Sequence, residues 1–137
     1  MTFDSHERSI LDALADVLIP AGDGCPAASG TGVAGDGLDQ VLSARPDLAP
    51  GLKRLLAAAE GRTAAEFVAG LKATDPDGFG LLTELAPAAY FLNPDVRAKL
   101  NYGGQGPRPI DPRADYLDDG LLQSVLDRGP IYRPTPR

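Results

Sequence analysis

The sequence predicts an all-α protein, and three observations support this prediction. Apolar residues, mostly Leu and Ala, recur every three or four positions along most of the chain, as on the buried face of an amphipathic helix. No stretch alternates β-branched and polar residues as a half-buried strand does. Capping residues and first-turn prolines precede the apolar segments. With 137 residues, 43% of them hydrophobic, the chain is expected to form one domain, residues 1–137, of about six or seven helices.

The first helix is the clearest. Asp4 and Glu7 have the spacing of a capping box, and Pro20 ends the helix. Its apolar face consists of Ile10, Leu11, Leu14, Val17 and Leu18. Residues 21–37 contain six glycines and little apolar bulk, so we expect a long surface loop without regular structure.

Two helices are predicted between residues 38 and 60. The first is short and ends before Arg45-Pro46, because a residue that precedes proline avoids the helical conformation. The second runs from about residue 47 to residue 60, tolerates Pro50 in its first turn and stops at Gly61. The apolar face of this second helix consists of Leu48, Leu52, Leu55 and Leu56.

Capping signals also predict the next two helices. Thr63 and Glu66 form a capping box for a helix that ends near residue 73. Asp75 caps the following helix, with a proline in its first turn. Pro87 lies inside this helix and is expected to kink or interrupt it, because proline lacks the backbone donor and clashes with the preceding turn.

The C-terminal part is predicted to be partly extended. Asn93 caps a short helix through residue 100, and a Gly/Pro-rich arm, residues 101–115, follows. A last amphipathic helix stops at Gly129, and alternating prolines keep the tail, residues 130–137, extended. Aromatic and arginine side chains on arms without a core of their own are typical of interfaces, so we predict that a partner is bound by Tyr102, Arg108, Ile110, Tyr132 and Arg133.

Composition and charge exclude several functions. A net charge of −6 and a pI near 4.6 leave no broad basic surface for a nucleic acid. One Cys and one His cannot build a Cys-rich zinc site or an iron–sulfur cluster, and we predict no metal, cofactor-binding or catalytic residue in this chain. No apolar run is long enough to span a membrane. The first residues lack an export signal, which predicts a cytoplasmic protein, or a periplasmic one if it is exported with a partner or a signal was removed.

Several motifs resemble ligand sites but lack the required context. Residues 30–35 match G-x-G-x-x-G, yet no predicted strand precedes them, so a flexible loop is favoured over a dinucleotide site. Residues 75–78 begin like a calcium loop, but the glycine and Glu84 come too early, and helix capping explains the sequence better. Cys25 and His6 are interpreted as bystanders, because neither has a neighbouring catalytic partner. Acidic residues that complement a helix dipole explain Asp115, Asp118 and Asp119.

Three segments together resemble a known family. They are the helix exit at residues 14–28, with Leu-Ile-Pro-Ala, the segment Tyr-Phe-Leu-Asn-Pro-Asp-Val-Arg at residues 90–97, and the arm Tyr-Gly-Gly-Gln-Gly-Pro-Arg-Pro at residues 102–109. With these segments the chain resembles gluconate 2-dehydrogenase subunit 3, the small subunit that accompanies flavin-dependent dehydrogenases of the glucose-methanol-choline type. The likeness spans most of the chain, and none of its motifs is a catalytic signature.

The resemblance implies a small helical subunit that forms a one-to-one complex with a large FAD-containing subunit. It helps that subunit to fold, acquire its cofactor or stay soluble. FAD and the oxidation of a sugar, glycoside or alcohol then belong to the partner, and a cytochrome subunit is a further possible component. Two alternatives remain open. One is an autonomous ligand-binding protein or enzyme that uses residues 21–37 with Cys25, and the other is a regulatory adaptor that dissociates from its partner.

Overall fold

The computed structural model describes residues 2–106 and 120–131. Within those residues the regular structure is helical and contains no strand, which confirms the all-α prediction. The chain divides into two compact units, Met1–Gly104 and Gln105–Arg137, which are described separately; the expectation of a single domain stays a prediction. The α-helices described are α1 (Ser5–Leu18), α2 (Leu38–Ala44), α3 (Ala49–Ala59), α4 (Ala64–Thr74), α5 (Pro76–Leu92), α6 (Pro94–Lys99) and, in the second unit, α7 (Gln123–Arg128).

Helix α5 is the centre of the first unit. It packs against α1, α2, α3, α4 and α6. Its core face repeats at helical spacing and consists of Leu82, Leu85, Ala86, Ala89 and Tyr90, all of them buried. The helix continues through Pro87, so the proline does not interrupt it, and the kink expected as the other outcome stays a prediction.

Local capping fixes the helix starts much as the sequence predicts. The Asp4 and Glu7 capping box is present, since the amide of Glu7 donates to Asp4 Oδ1 at 2.8 Å and the amide of Asp4 donates to Glu7 Oε2 at 2.9 Å. Asp75 accepts a hydrogen bond from the Gly78 amide at 2.9 Å, which confirms that it caps α5. Thr63 differs, because its hydroxyl donates to the side chain of Glu66 and does not cap the backbone of α4.

The prediction of an unstructured surface loop at residues 21–37 is wrong for its second half. Ala28–Thr31 form a 3₁₀ turn and Val33–Gly37 a π-helical turn, and Ala28, Val33 and Ala34 are buried. The small residues that suggested an exposed loop instead permit close packing. A Cβ atom on Gly37 would lie 3.1 Å from the Cβ of Ala89, so this part of the backbone packs directly on α5.

Arg8 anchors this glycine-rich segment from α1. Its Nη1 donates to the carbonyl oxygen of Ala34 at 2.5 Å and to that of Gly35 at 3.2 Å, and its Nη2 pairs with Asp39 at 2.8 Å. Buried backbone carbonyls need such donors. The G-x-G-x-x-G stretch therefore presents carbonyls to the partly buried guanidinium of Arg8, which is a structural use of the motif and differs from the cradle of amides that a dinucleotide requires.

Removing a core side chain from α5 should be costly. Leu82 is 0% exposed, so Leu82→Ala should lower the free energy of unfolding by about 2–5 kcal/mol through lost burial and the cavity left behind. Leu126→Ala, on a side chain of α7 that is 60% exposed, is the matched control and should change it by less than about 0.5 kcal/mol. Chemical denaturation of both variants measures the difference, and equal losses would contradict the assigned core.

Asp12 on α1 is a second point at which the fold can be tested. Its Oδ1 is buried and has no hydrogen-bond partner among the residues described. Burial raises the pKa of Asp12, and the charge of Asp16 adds to this, whereas a hydrogen bond from the backbone of Ala34 opposes it. The ionised form is thus less favourable in the folded chain than in the unfolded chain.

The sign of this shift predicts a specific pH dependence. Because the folded pKa lies above the ordinary value of 3.8, the Asp12 contribution to stability falls as pH rises from that value through the folded pKa. The Asp12→Asn variant has no titrating group at this position. As pH rises across this range, its free energy of unfolding should therefore increase relative to that of the parent chain. Denaturation of both proteins at a series of pH values measures the gain, and a constant difference would show that burial of Asp12 does not affect its ionisation.

Candidate partner-binding surface

Residues 22–25 form a tight turn. Gly22 and Cys25 exchange two backbone hydrogen bonds, of 2.8 and 3.1 Å. The two residues between them, Asp23 and Gly24, have φ of 49° and 79°, and positive φ at both central positions is the signature of a type I′ turn. Asp-Gly is a favoured pair for this turn, because both residues tolerate the left-handed conformation.

Three long-range hydrogen bonds fasten residues 24–31 to the junction of α5 and α6. Tyr90 Oη donates to the carbonyl oxygen of Pro26 at 2.9 Å, and Asn93 Nδ2 donates to that of Thr31 at 2.9 Å. Lys99 Nζ donates to the carbonyl oxygen of Gly24 at 2.7 Å. Two of the segments that carry the family resemblance, residues 14–28 and 90–97, are thereby joined in one structural element.

Asn93 serves both the junction and the start of α6. Its Oδ1 accepts hydrogen bonds from the amides of Asp95 at 2.8 Å and Val96 at 3.2 Å, which confirms the predicted cap. Its Nδ2 at the same time holds Thr31. One amide side chain therefore sets where α6 begins and where the glycine-rich segment lies against it.

Apolar side chains stand exposed at this junction. Tyr90 points into the core and is 4% exposed, whereas the residue after it, Phe91, is 50% exposed. We call the exposed apolar side chains of this stretch the α5–α6 surface, and they are Phe91, Leu92, Leu100 and Tyr102. Neighbouring exposed apolar side chains, aromatic ones in particular, are typical of protein interfaces.

Three open clefts adjoin the α5–α6 surface. The first, of about 480 Å³, lies between α2 and α5, with Val41 and Leu92 in its apolar wall. A cleft of about 170 Å³ shares Leu92 with it, and a third, of about 500 Å³, shares Pro94 with the second and reaches Tyr102. The shared residues place the three clefts side by side along the junction of α5 and α6, so the surface is grooved.

Charge at the α2 end of the grooved surface is largely balanced. Arg45 lines the first cleft and forms ion pairs with Asp47 at 2.7 Å and Glu84 at 2.6 Å. The bonds to Asp47 and Glu84 raise the pKa of Arg45, and the bond to Arg45 lowers the pKa of Asp47. A partner that binds here would therefore meet apolar walls beside a neutralised arginine.

Cys25 is partly buried beside Tyr90. Burial raises the pKa of the Tyr90 hydroxyl, and the neighbouring Cys25 thiol raises it further. His6, the one histidine of the chain, lies 3.4 Å from Glu60. Within residues 2–106 and 120–131, no three His, Cys, Asp or Glu side chains are grouped as metal ligands.

One of the five predicted partner-binding residues lies on the α5–α6 surface. Tyr102 is 49% exposed there, and its amide donates to the carbonyl oxygen of Arg97 at 2.8 Å. The other four, Arg108, Ile110, Tyr132 and Arg133, lie outside the described residues and stay predictions. The acidic residues Asp115, Asp118 and Asp119 also lie outside them.

The exposed side chains Phe91, Leu92 and Leu100 were not predicted from the sequence. The signal was present, since Phe91 falls outside the helical repeat of Leu82, Leu85 and Ala89. In the second unit, the predicted last helix is confirmed at Gln123–Arg128, and its stop at Gly129 has φ of 69°. The exposed apolar residues in and beside it are Leu121, Val125, Leu126 and Ile131.

Comparisons of the chain with protein-family models, with curated proteins and with solved structures found no match. Among the helices described, none combines the length and the apolar character needed to cross a membrane.

Separating the two roles of Asn93 tests the junction. Asn93→Ser retains a capping oxygen but is too short to hold Thr31, and it should cost about 1 kcal/mol of unfolding free energy. Asn93→Ala loses both functions and should cost about 2 kcal/mol. Hydrogen exchange should accelerate at residues 28–31 in both variants and at the start of α6 only in Asn93→Ala. Identical exchange in the two variants would contradict the double role.

Proposed function

We propose that this protein is a non-catalytic small subunit of an FAD-dependent dehydrogenase or oxidase complex that acts on a sugar, a glycoside or a related alcohol. The large partner is a flavoprotein of the glucose-methanol-choline type, bound one to one, and it carries the FAD and the catalytic site. The chain stabilises that partner or helps it to acquire its cofactor. A cytochrome subunit is a further candidate component of the complex.

One observation carries this proposal. The segments at residues 14–28 and 90–97, on which the resemblance to gluconate 2-dehydrogenase subunit 3 rests, are joined by the hydrogen bond from Tyr90 to Pro26, and the bonds of Asn93 to Thr31 and of Lys99 to Gly24 hold the flanking residues. Immediately beside them lie the four exposed apolar side chains of the α5–α6 surface. The residues of the resemblance thus have a structural use, which is to build and hold an apolar surface suited to a protein partner.

The exposure of this surface supports a permanent partner. Phe91, Leu100 and Tyr102 are each about half exposed, at 50%, 51% and 49%. Covering aromatic and leucine side chains of this size releases free energy on association, and aromatic residues are frequent among those that dominate binding. The exposed apolar residues of α7 provide a second such surface in the other unit.

The location of the complex follows that of the partner. The proposed complex is compatible with the cytoplasm and with the periplasm. Neither location changes the role proposed for the α5–α6 surface.

Coexpression with the flavoprotein of its own genome tests the function. The two chains should copurify as a one-to-one complex, and the yield of soluble, flavin-loaded flavoprotein should fall when this chain is omitted. The small chain purified alone should show neither a flavin spectrum nor dehydrogenase turnover. Turnover by the isolated chain would overturn the proposal, and a substoichiometric mass would favour a dissociable adaptor.

Polar substitution of the α5–α6 surface tests the site. Phe91→Ser together with Tyr102→Ser should weaken association by about tenfold or more, because each removes an apolar contact area of hot-spot size. Val17→Ser, on an α1 side chain that is 40% exposed, is the matched control and should leave association unchanged. Quantitative pull-down and circular dichroism measure binding and helicity. Undiminished binding of the double variant would show that the partner contacts another surface.

A further inference from the structure

A separate cleft lies between α3, α4 and the beginning of α5. Its volume is about 500 Å³, and it shares no lining residue with the clefts beside the α5–α6 surface. Its apolar walls include Leu55, Phe67 and Leu71, which are buried at 4% exposure each. A cavity of this size accommodates a small organic molecule.

Two arginines line this cleft without a charged partner. Neither Arg54 nor Arg62 has a nitrogen within 4.0 Å of a carboxylate oxygen in the part of the chain described. The guanidinium of Arg62 lies 4.9 Å from the ring centroid of Phe67, and this cation–π contact orients it at the wall of the cleft. By contrast, Arg8 and Arg45 are both paired with acidic side chains.

Two acidic residues, Asp75 and Asp77, also line the cleft. Asp75 accepts a hydrogen bond from the amide of Gly78, and Asp77 lies in the first turn of the same helix, where its charge is favourable. Among the residues described neither carboxylate pairs with Arg54 or Arg62, so the two guanidiniums remain available to a ligand. Because the whole chain carries a net charge of −6, a small anion gains nothing from the overall field and would have to be held by these local donors.

We propose that this cleft binds a small organic monocarboxylate with an apolar, preferably aromatic, body. The carboxylate pairs with Arg54 and Arg62, since a guanidinium matches a carboxylate in charge and geometry. The body packs on Leu55, Phe67 and Leu71. A dianion is disfavoured because the Asp75 and Asp77 carboxylates in the lining repel a second negative charge. The proposal is independent of the proposed subunit function and goes beyond it.

Titration of the full chain with phenylacetate, followed by amide chemical shifts, tests the proposal. Phenylacetate should bind saturably, with a dissociation constant of about 1 mM for a ligand of ten heavy atoms. Acetate, which lacks the apolar body, should bind at least about tenfold more weakly, and 2-phenylethylamine, which reverses the charge, should not bind. Equal binding of the amine, or no saturable binding of phenylacetate, would overturn the proposal.

Substitutions locate the binding. Arg54→Gln and Arg62→Gln should each weaken phenylacetate binding by about fivefold, and the double variant should abolish saturation. Ala58→Tyr keeps both charges but fills the cleft, and it should also prevent binding. Arg97→Gln, in the cleft that contains Tyr102, is the control and should bind as the parent chain does. Unchanged binding in the double variant, or equal weakening by Arg97→Gln, would place the ligand elsewhere and overturn the assignment.

Discussion

The first unit depends on the packing of one helix, α5, against all the other α-helices around it. A central helix must present apolar side chains over much of its circumference, yet its neighbours can approach closely only where those side chains are small. Helix α5 meets both demands, because Leu82 and Leu85 fill space while Ala86 and Ala89 admit close neighbours. The π-helical turn Val33–Gly37 packs against α5, with Gly37 directly opposite Ala89.

Bringing a glycine-rich segment into a core creates a need for hydrogen-bond donors, since its carbonyls leave water. Polar side chains from distant parts of the chain meet this need. Arg8 donates hydrogen bonds to the carbonyl oxygens of Ala34 and Gly35. Tyr90 donates to that of Pro26, and Asn93 donates to that of Thr31. The same side chains give the turn at residues 22–25 and the α5–α6 surface a fixed arrangement, so core packing and the candidate interface have a common physical origin.

Most of the local interactions could be predicted from the sequence, with the cap at Thr63 and the effect of Pro87 as exceptions, whereas contacts that span the chain could not. The caps at Asp4, Asp75 and Asn93 each act within three residues, and all were predicted. The burial of Val33 and Ala34 was not, because it depends on Arg8, 26 positions before Ala34, and on α5, which follows much later. Tyr102 was the one candidate site residue that could be placed, whereas the exposure of Phe91 follows from how α5 is turned in the core.

The contact between Gly37 and α5 also limits how this sequence can diverge. A Cβ atom at position 37 would lie 3.1 Å from the Cβ of Ala89, and equally 3.1 Å from the backbone oxygens of Ala89 and Gly32. Replacing Ala89 by a smaller residue would relieve only the first of these contacts, because backbone atoms are common to all residues. A side chain at position 37 would therefore require the backbone to shift by a few tenths of an ångström, whichever residue stands at position 89, and distant relatives that keep this fold should favour glycine there even after most of the surrounding core has changed.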